Sequence, residues 1–314
     1  MKSLFVMDPL HRINIAGDST YVTMRECTRR GYPVWMCTPD QLYGHNGACF
    51  AQATPVRTTV EAPHFHTGEP EVRELGEFDA VWMRKDPPFD MDYIFTTYLL
   101  DMAPRCTRVI NAPAGLKLFN EKMWVQQRWP EFQPETLIAR DPLQLTAFVR
   151  ERQERTVLKP WDGNGGRGVL VTDADDENLR SMTELLSQEG TAYVIAQGYL
   201  PGVVRGDKRI LLFDGEPVGA MWRVPVKGDH RANMHAGATV ESAELDARDL
   251  EICAALAPEL KQWGQLFVGI DVIDGMLTEV NVTSPTGIQE LNQLNGVCLE
   301  EQLVDLALSY VQGA

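Results

Sequence analysis

Positive charge is scarce in this sequence. Its 314 residues carry 29 Lys and Arg against 44 Asp and Glu, a formal net charge of −15. A field of that sign repels nucleic-acid phosphates and an anionic membrane face, so neither is expected as a partner. Cysteine is sparse and scattered. The six thiols, Cys27, Cys37, Cys49, Cys106, Cys253 and Cys298, form no Cys-x-x-Cys pair. That argues against structural zinc or a disulfide framework, and for reduced thiols in the cytoplasm. Long apolar runs are missing as well. The opening Leu4-Phe5-Val6-Met7 ends at Asp8 and is too short for a signal peptide. No stretch reaches the ~20 apolar residues of a membrane span. Repeats and low-complexity tracts are absent, and no glycine loop is followed by the Lys-Ser or Lys-Thr of a Walker site.

What is present is ordinary globular material, 44% hydrophobic and 23% charged, long enough for two or three lobes around a cleft. Short apolar strands at 4–7, 33–37, 80–83 and 108–110 alternate with helices at 19–30 and 91–101. This pattern predicts a mainly parallel α/β lobe over residues 1–120. Residues 38–76, rich in Gly, Pro, Thr and His, read as a long loop or irregular hairpin. His64 and His66 lie there without a third ligand nearby, which favours a surface loop over a metal site.

A second lobe, 121–196, is expected to hold helices at 121–128, 142–153 and 179–187 and strands at 156–160, 169–172 and 193–196. After a linker at 197–202, a third lobe runs to residue 314. It contains a hairpin turned by Asp214-Gly215, a polar loop at 227–237, a helix at 247–263, a second hairpin at 267–282 and a closing helix at 299–310.

The most informative stretch is Leu158-Lys159-Pro160-Trp161-Asp162-Gly163-Asn164-Gly165-Gly166-Arg167-Gly168. Formally it contains Gly-x-Gly-x-x-Gly, but a dinucleotide turn runs from strand into helix. Here Val169-Leu170-Val171-Thr172 reads as a strand. Strand, glycine loop, strand suits a flap over nucleotide phosphates, because backbone N–H groups can approach oxygen without Cβ interference. A plain hairpin turn is the alternative. Lys159 closes the apolar first strand, and a lysine so placed calls for an anion. Lys122 is a second candidate for that anion, although alone it reads as a solvent-facing helix residue.

In the last hairpin, Glu279 and Asn281 share one strand face beside apolar Val280 and Val282. Two oxygen donors so placed suggest a hard cation, since magnesium takes one or two carboxylates plus phosphate oxygens and water. A solvent-facing strand is the alternative. Asp271 depends on register. A two-residue Asp274-Gly275 turn sets it opposite Thr278, whereas a three-residue turn through Met276 sets it opposite Glu279. The second arrangement is expected. Arg209, Arg223 and Arg231, with Lys208, offer anion-binding forks in an otherwise acidic chain, surface salt bridges being the competing reading.

Together these residues resemble prokaryotic glutathione synthetases of the ATP-grasp superfamily. The likeness rests on Met7-Asp8-Pro9, the run from Met83 to Asp90 (Met-Arg-Lys-Asp-Pro-Pro-Phe-Asp), Asn120-Glu121-Lys122, the glycine loop, Asp207-Lys208-Arg209 and the run from Leu277 to Thr286. It covers nearly the whole chain. The resemblance implies an N-terminal α/β domain followed by two α+β ATP-grasp lobes clamping ATP. Nucleotide contacts would come from Lys122, Lys159, Gly163, Gly165, Gly166, Asp207 and the segment Gln197-Gly198-Tyr199-Leu200. Asp271, Glu279 and Asn281 would hold Mg2+, or Mn2+ in its place. Arg209 and Lys159 would act on the transferring phosphoryl group. Arg223, Arg231, Asn233, Gly237 and Ser284 would face substrate.

The implied reaction joins γ-glutamylcysteine to glycine through an acyl phosphate, in a homo-oligomer that is a dimer or tetramer. Another ATP-grasp carboxylate–amine ligase is the nearest rival reading. A nucleotide-binding regulator without turnover would have little use for the full acidic trio. A dinucleotide-dependent oxidoreductase would require a helix after Gly168.

Overall fold

The computed structural model describes residues 1–163, 166–225 and 239–313. The first strand, β1 (Ser3–Met7), is wholly buried, and α1 (Ser19–Arg29) follows, capped by the Asp18 carboxylate on the Tyr21 N–H at 2.6 Å. Next come β2 (Val34–Cys37), β3 (Leu42–His45), β4 (Ala48–Thr58), β5 (Phe65–Thr67), β6 (Glu71–Glu74) and β7 (Ala80–Arg84). Helix α2 (Met91–Leu100), β8 (Arg108–Ile110) and α3 (Pro113–Leu118) complete this region. β2, β1, β7 and β8 pair in parallel, as the alternating pattern predicts.

Residues 38–76 are not the long loop that is one of the two expectations; the hairpin alternative comes nearer, since β3 and β4 form one. They fold largely as β3 to β6 and widen the sheet to eight strands in the order β3-β4-β2-β1-β7-β8, with β5 and β6 both on β4. Two features hid this. β4 buries small side chains, Ala51 and Ala53, where sequence reading looks for large ones. Its turn with β3 is Asn46-Gly47, both at positive φ, a two-residue hairpin turn.

A second sheet is antiparallel. Helix α4 (Met123–Arg128) leads through β9 (Thr136–Ala139) and α5 (Pro142–Arg152) to β10 (Thr156–Pro160) and β11 (Leu170–Thr172). α6 (Leu179–Leu186) and β12 (Val194–Gly198) follow, giving the order β11-β10-β12-β9. β12 runs two residues beyond the expected strand end, so Gln197 and Gly198 belong to the sheet rather than to a linker.

The third sheet, also antiparallel, comprises β13 (Asp207–Phe213), β14 (Glu216–Val224), β15 (Thr239–Ala243), β16 (Phe267–Ile273) and β17 (Met276–Asn281) in the order β15-β14-β13-β16-β17. α7 (Ala247–Gln262), α8 (Ile288–Asn295) and α9 (Leu299–Gln312) flank it. Among the described residues, no helix is long and apolar enough to cross a membrane.

The first and third sheets share a hydrophobic core, with Leu4, Val6 and Val81 in one cluster with Ile210, Ile270 and Val280. Polar clamps fix the docking. Asn111 donates to the carbonyls of Phe267 and Val282, both at 2.8 Å, and accepts from the Phe267 N–H at 2.9 Å. Buried Arg84 donates to Thr20 Oγ1 at 3.0 Å and to the Pro285 carbonyl at 2.8 Å. The Met83–Asp90 run thus holds the turn at 284–286 against the N-terminal sheet, where that turn can line a cleft.

Candidate active site

The glycine loop joins two paired strands, with Thr156 opposite Thr172 and Leu158 opposite Leu170. A strand, not a helix, follows Gly168, which removes the dinucleotide reading. Lys159 is the penultimate residue of β10 and is buried. Burial pushes its ammonium down to about 8, against the pull of Glu279.

Lys122 caps the N-terminal side of α4, and its ammonium donates to the Gly163 carbonyl at 2.6 Å while standing 3.5 Å from Glu279 Oε1. Burial disfavours its charge, but Glu279 and Glu121 outweigh that and hold it above the ordinary lysine value. This side chain therefore spans from the glycine loop to β17.

The β16–β17 hairpin puts Asp271 opposite Glu279, the pairing expected, by a different route. The turn has two residues, Asp274 and Gly275, both at positive φ, and Ile273 pairs with Met276. A bulge between Asp271 and Val272 on this ladder leaves Thr278 as the extra residue, its hydroxyl donating to the Asp271 carbonyl at 3.1 Å. The bulge supplies the one-residue offset that a three-residue turn would have given.

Asp271 is the electrostatic centre. Arg209, directly opposite on β13, grips it with Nε to Oδ1 at 2.5 Å and Nη2 to Oδ2 at 2.9 Å. Arg223 Nη2 reaches Oδ2 at 2.9 Å and Asn281 donates to the same oxygen at 3.2 Å. Burial alone would raise the Asp271 carboxyl, but the two guanidinium groups hold it well below the usual carboxylate range.

Arg223 also pairs with Asp207. Burial pushes the Asp207 carboxyl up, Arg223 opposing, and its buried Oδ1 has no hydrogen-bond partner among the described residues. Gly269 makes room for this arrangement, since a Cβ there would stand 3.3 Å from Arg209 Cδ.

All these groups face one cavity of about 830 Å³. Its walls include Lys122, Lys159, Gly163, Gly166, Gln197, Gly198, Tyr199, Leu200, Asp207, Arg209, Arg223, Asp271, Glu279, Asn281 and Ser284. Gly165, Arg231, Asn233 and Gly237, together with the polar loop at 227–237, lie outside the described residues. Val157, Val171, Val203 and Ile273 add apolar lining to the cavity, and Val157 pairs with both Val171 and Gln197, so part of this apolar slot lies beside Gln197–Leu200.

Sequence reasoning gave no role to Asp8, Arg12, Asn14, Asp18, Asp86, Glu121 and Glu290, which also line the cavity. Asp8 and Asp86 lie in two of the runs that carried the resemblance, and Asp8 Oδ2 accepts from the Asp86 N–H at 3.0 Å. Nothing local marks Arg12, Asn14 or Glu290, which come to the cavity only through lobe docking. Among the described residues, no three His, Cys, Asp or Glu side chains converge into a self-sufficient metal cage.

Three lobes, a glycine hairpin and an acidic hairpin around one cleft define an ATP-grasp fold, and solved structures agree. D-cycloserine synthetase superposes with TM-score 0.65 at 18% identity, covering 99% of each chain. A RimK domain ATP-grasp protein from Sphaerobacter thermophilus gives 0.65 at 16%, covering 98% of this chain and 99% of the other.

Sequence narrows the class. Residues 1–117 match the prokaryotic glutathione synthetase N-terminal domain and residues 121–296 the ATP-grasp domain of the same family. The chain belongs to the prokaryotic glutathione synthetase family. Relatives named glutathione synthetase include one from Prochlorococcus marinus, 45% identical over 97% of both chains. Another, from Agrobacterium fabrum, is 44% identical over 95% of this chain and 93% of its own. Membership makes the protein an ATP-dependent carbon–nitrogen ligase that uses a divalent cation.

Proposed function

We propose that the chain joins γ-glutamylcysteine to glycine in the cytoplasm, consuming ATP and releasing glutathione, ADP and phosphate. The observation that carries this reading is the convergence of Lys159, Arg209, Asp271 and Glu279 on one cavity, in a chain 45% identical to a glutathione synthetase along 97% of its length.

In this reading the adenine occupies the apolar slot beside Gln197–Leu200, and the phosphates lie beneath the glycine hairpin. Lys122 and Lys159 meet them, with the N–H groups of Gly163, Gly165 and Gly166. Asp271, Glu279 and Asn281 hold the divalent cation, Mg2+ or Mn2+. The donor set fits such an ion. Among the described residues Asp271 Oδ1 takes one hydrogen bond, from Arg209, which leaves acceptor capacity toward the cavity. Nearby Asp207 Oδ1 has no partner among the described residues. A cation held there would neutralise triphosphate charge.

The cysteinyl carboxylate of γ-glutamylcysteine takes the γ-phosphoryl group. A P–O bond to this carboxylate forms as the P–O bond to ADP breaks. Arg209 and Lys159 stabilise charge on the transferring group. The glycine amine then attacks the carbonyl carbon, the C–N bond forms, phosphate leaves and the nitrogen gives up a proton to solvent. Ser284 faces the substrate, as do Arg231, Asn233 and Gly237 beyond the described residues. Arg223, on the cavity wall, faces the substrate too while pairing with Asp207 and Asp271.

The γ-glutamyl head carries both an ammonium and a carboxylate, and the N-terminal end of the cavity offers Asp18 and Glu290 for the first and Arg12 for the second. The protein acts as a homo-oligomer. The test is phosphate release from ATP with γ-glutamylcysteine plus glycine, against a panel of other amino acids and dipeptides. Selective release with that pair is expected. Equal release with another acceptor would replace this reading with a different ATP-grasp ligase.

A further inference from the structure

The turn of the acidic hairpin touches the segment that borders the proposed adenine slot. After β12 the chain passes Tyr199 and Leu200 and coils into a 3-10 turn, Pro201–Arg205, before entering β13. The first N–H groups of such a coil have no partner within it. Leu200, at its N-terminal side, has no side-chain oxygen to supply one. The partner comes from 72 residues away. Asp274, in the two-residue turn between β16 and β17, accepts from the Gly202 N–H through Oδ2 at 2.5 Å and from Arg205 Nη2 through Oδ1 at 2.9 Å.

The fit is close. A Cβ on Gly202 would stand 1.8 Å from Asp274 Oδ1, so only glycine lets the two segments approach this far. The turn is braced from its other side. The Gly275 carbonyl accepts from Arg248 Nε at 3.1 Å. The same guanidinium donates to the Glu131 carbonyl at 3.3 Å and lies 4.7 Å from the centre of the Phe132 ring. Asp274 therefore projects from a fixed turn, and the coil is what it restrains.

Each partner in this contact has a neighbour on the cavity wall. Val203 follows Gly202, Ile273 precedes Asp274, and both belong to the apolar lining. We infer that Asp274 is a positioning residue for the nucleotide, an inference that rests on the adenine placement given above. By gripping Gly202 it fixes Val203 relative to Ile273, and with them the width of the slot that receives the base. The Arg205 side chain is 76% exposed, so its ion pair with Asp274 adds little and the backbone contact carries the restraint. Without that contact the coil samples positions in which the slot no longer fits the base, and apparent affinity falls in proportion to the competent fraction.

Titration calorimetry with ATP tests this. Asp274 lies at φ +50°, so Asp274→Gly keeps the turn while removing both contacts. ATP binding should weaken about tenfold, as for a competent fraction cut to about a tenth, and the loss should fall on KM for ATP rather than on kcat. Inorganic tripolyphosphate, which carries no base, should bind as to the wild type, which also shows that the variant is folded. Asp274→Asn keeps an oxygen for the Gly202 N–H and should restore ATP binding. Gly202→Ala drives a methyl group into the carboxylate and should reproduce the loss, and combining it with Asp274→Gly should cost no more than either change alone. Unchanged ATP affinity in Asp274→Gly overturns the proposal. So does an equal loss for tripolyphosphate, or losses that add in the double variant. Val203→Ala separates this failure from that of the adenine placement. ATP binding weakened there but not in Asp274→Gly removes the positioning role alone, whereas ATP binding unmoved by both removes the placement as well.

Discussion

Arg209 and Asp271 face each other across β13 and β16 as a buried, two-bonded guanidinium–carboxylate pair. Such a pair matters most when half of it is removed. Asp271→Ala leaves Arg209 buried without its partner and takes from Arg223 one of its two carboxylates. The expected loss is about 3–5 kcal/mol of unfolding free energy, read from urea denaturation. The sign of the pH dependence follows from the depressed carboxyl of Asp271. The stabilisation is fully present above the ordinary aspartate range and disappears only as pH falls through the lower folded value. A variant within about 1 kcal/mol of wild type would show that the pair contributes little.

Glu279→Ala should abolish turnover and spare the fold. Glu279 is half-buried on β17, and its near neighbour is the Lys122 ammonium at 3.5 Å. Removing it deletes a proposed cation ligand without opening a core cavity. Phosphate release should drop by about two to three orders of magnitude, with the thermal midpoint nearly unchanged. Full turnover at ordinary Mg2+ concentrations would remove Glu279 from the cation site.

Lys159 makes nucleotide binding depend on pH. Its ammonium titrates at about 8 in the free protein because burial disfavours the charge. A bound triphosphate favours the charged form and raises that value. Protons are therefore taken up on binding above pH 8, and ATP affinity falls as pH rises through this region. Calorimetry in buffers of different ionisation enthalpy measures the uptake. Lys159→Met should abolish it and weaken ATP binding; an unaltered affinity would dismiss the phosphate contact.

The thiols should divide into two classes. Cys106 and Cys298 are exposed, whereas Cys27, Cys37, Cys49 and Cys253 are buried. Burial pushes the Cys27 and Cys253 thiols up to about 12 and Cys49 up to about 11, so little thiolate exists at neutral pH. A colorimetric disulfide reagent should find two fast thiols in the native protein and six after denaturation. Four or more fast thiols in the native state would contradict this packing.

Much of the site was legible because its signals are local. Lys159 betrays itself as a lysine at the end of an apolar strand, and the glycine loop by composition. Glu279 and Asn281 stand out as polar groups two apart in an apolar strand. The parallel strands of the N-terminal lobe were legible for the same reason, since strands buried on both faces are continuous apolar runs. β4 was not, because two of its inward positions, Ala51 and Ala53, carry alanine, and alanine is no signal of a strand.

The amino-acid sequence by itself determined the lobes' chemistry and the hairpins that carry it, since residue type and period-two spacing act within a few residues. Only the tertiary structure decided that Asp271 meets Glu279 through a bulge at Thr278, because a bulge is a property of the ladder and leaves no mark in composition. Tertiary structure also brought Arg12, Asn14 and Glu290 to the same cavity, Arg12 and Glu290 from positions 278 residues apart. That meeting depends on Arg84 and Asn111 locking the first sheet to the third, long-range contacts whose energy no local window contains.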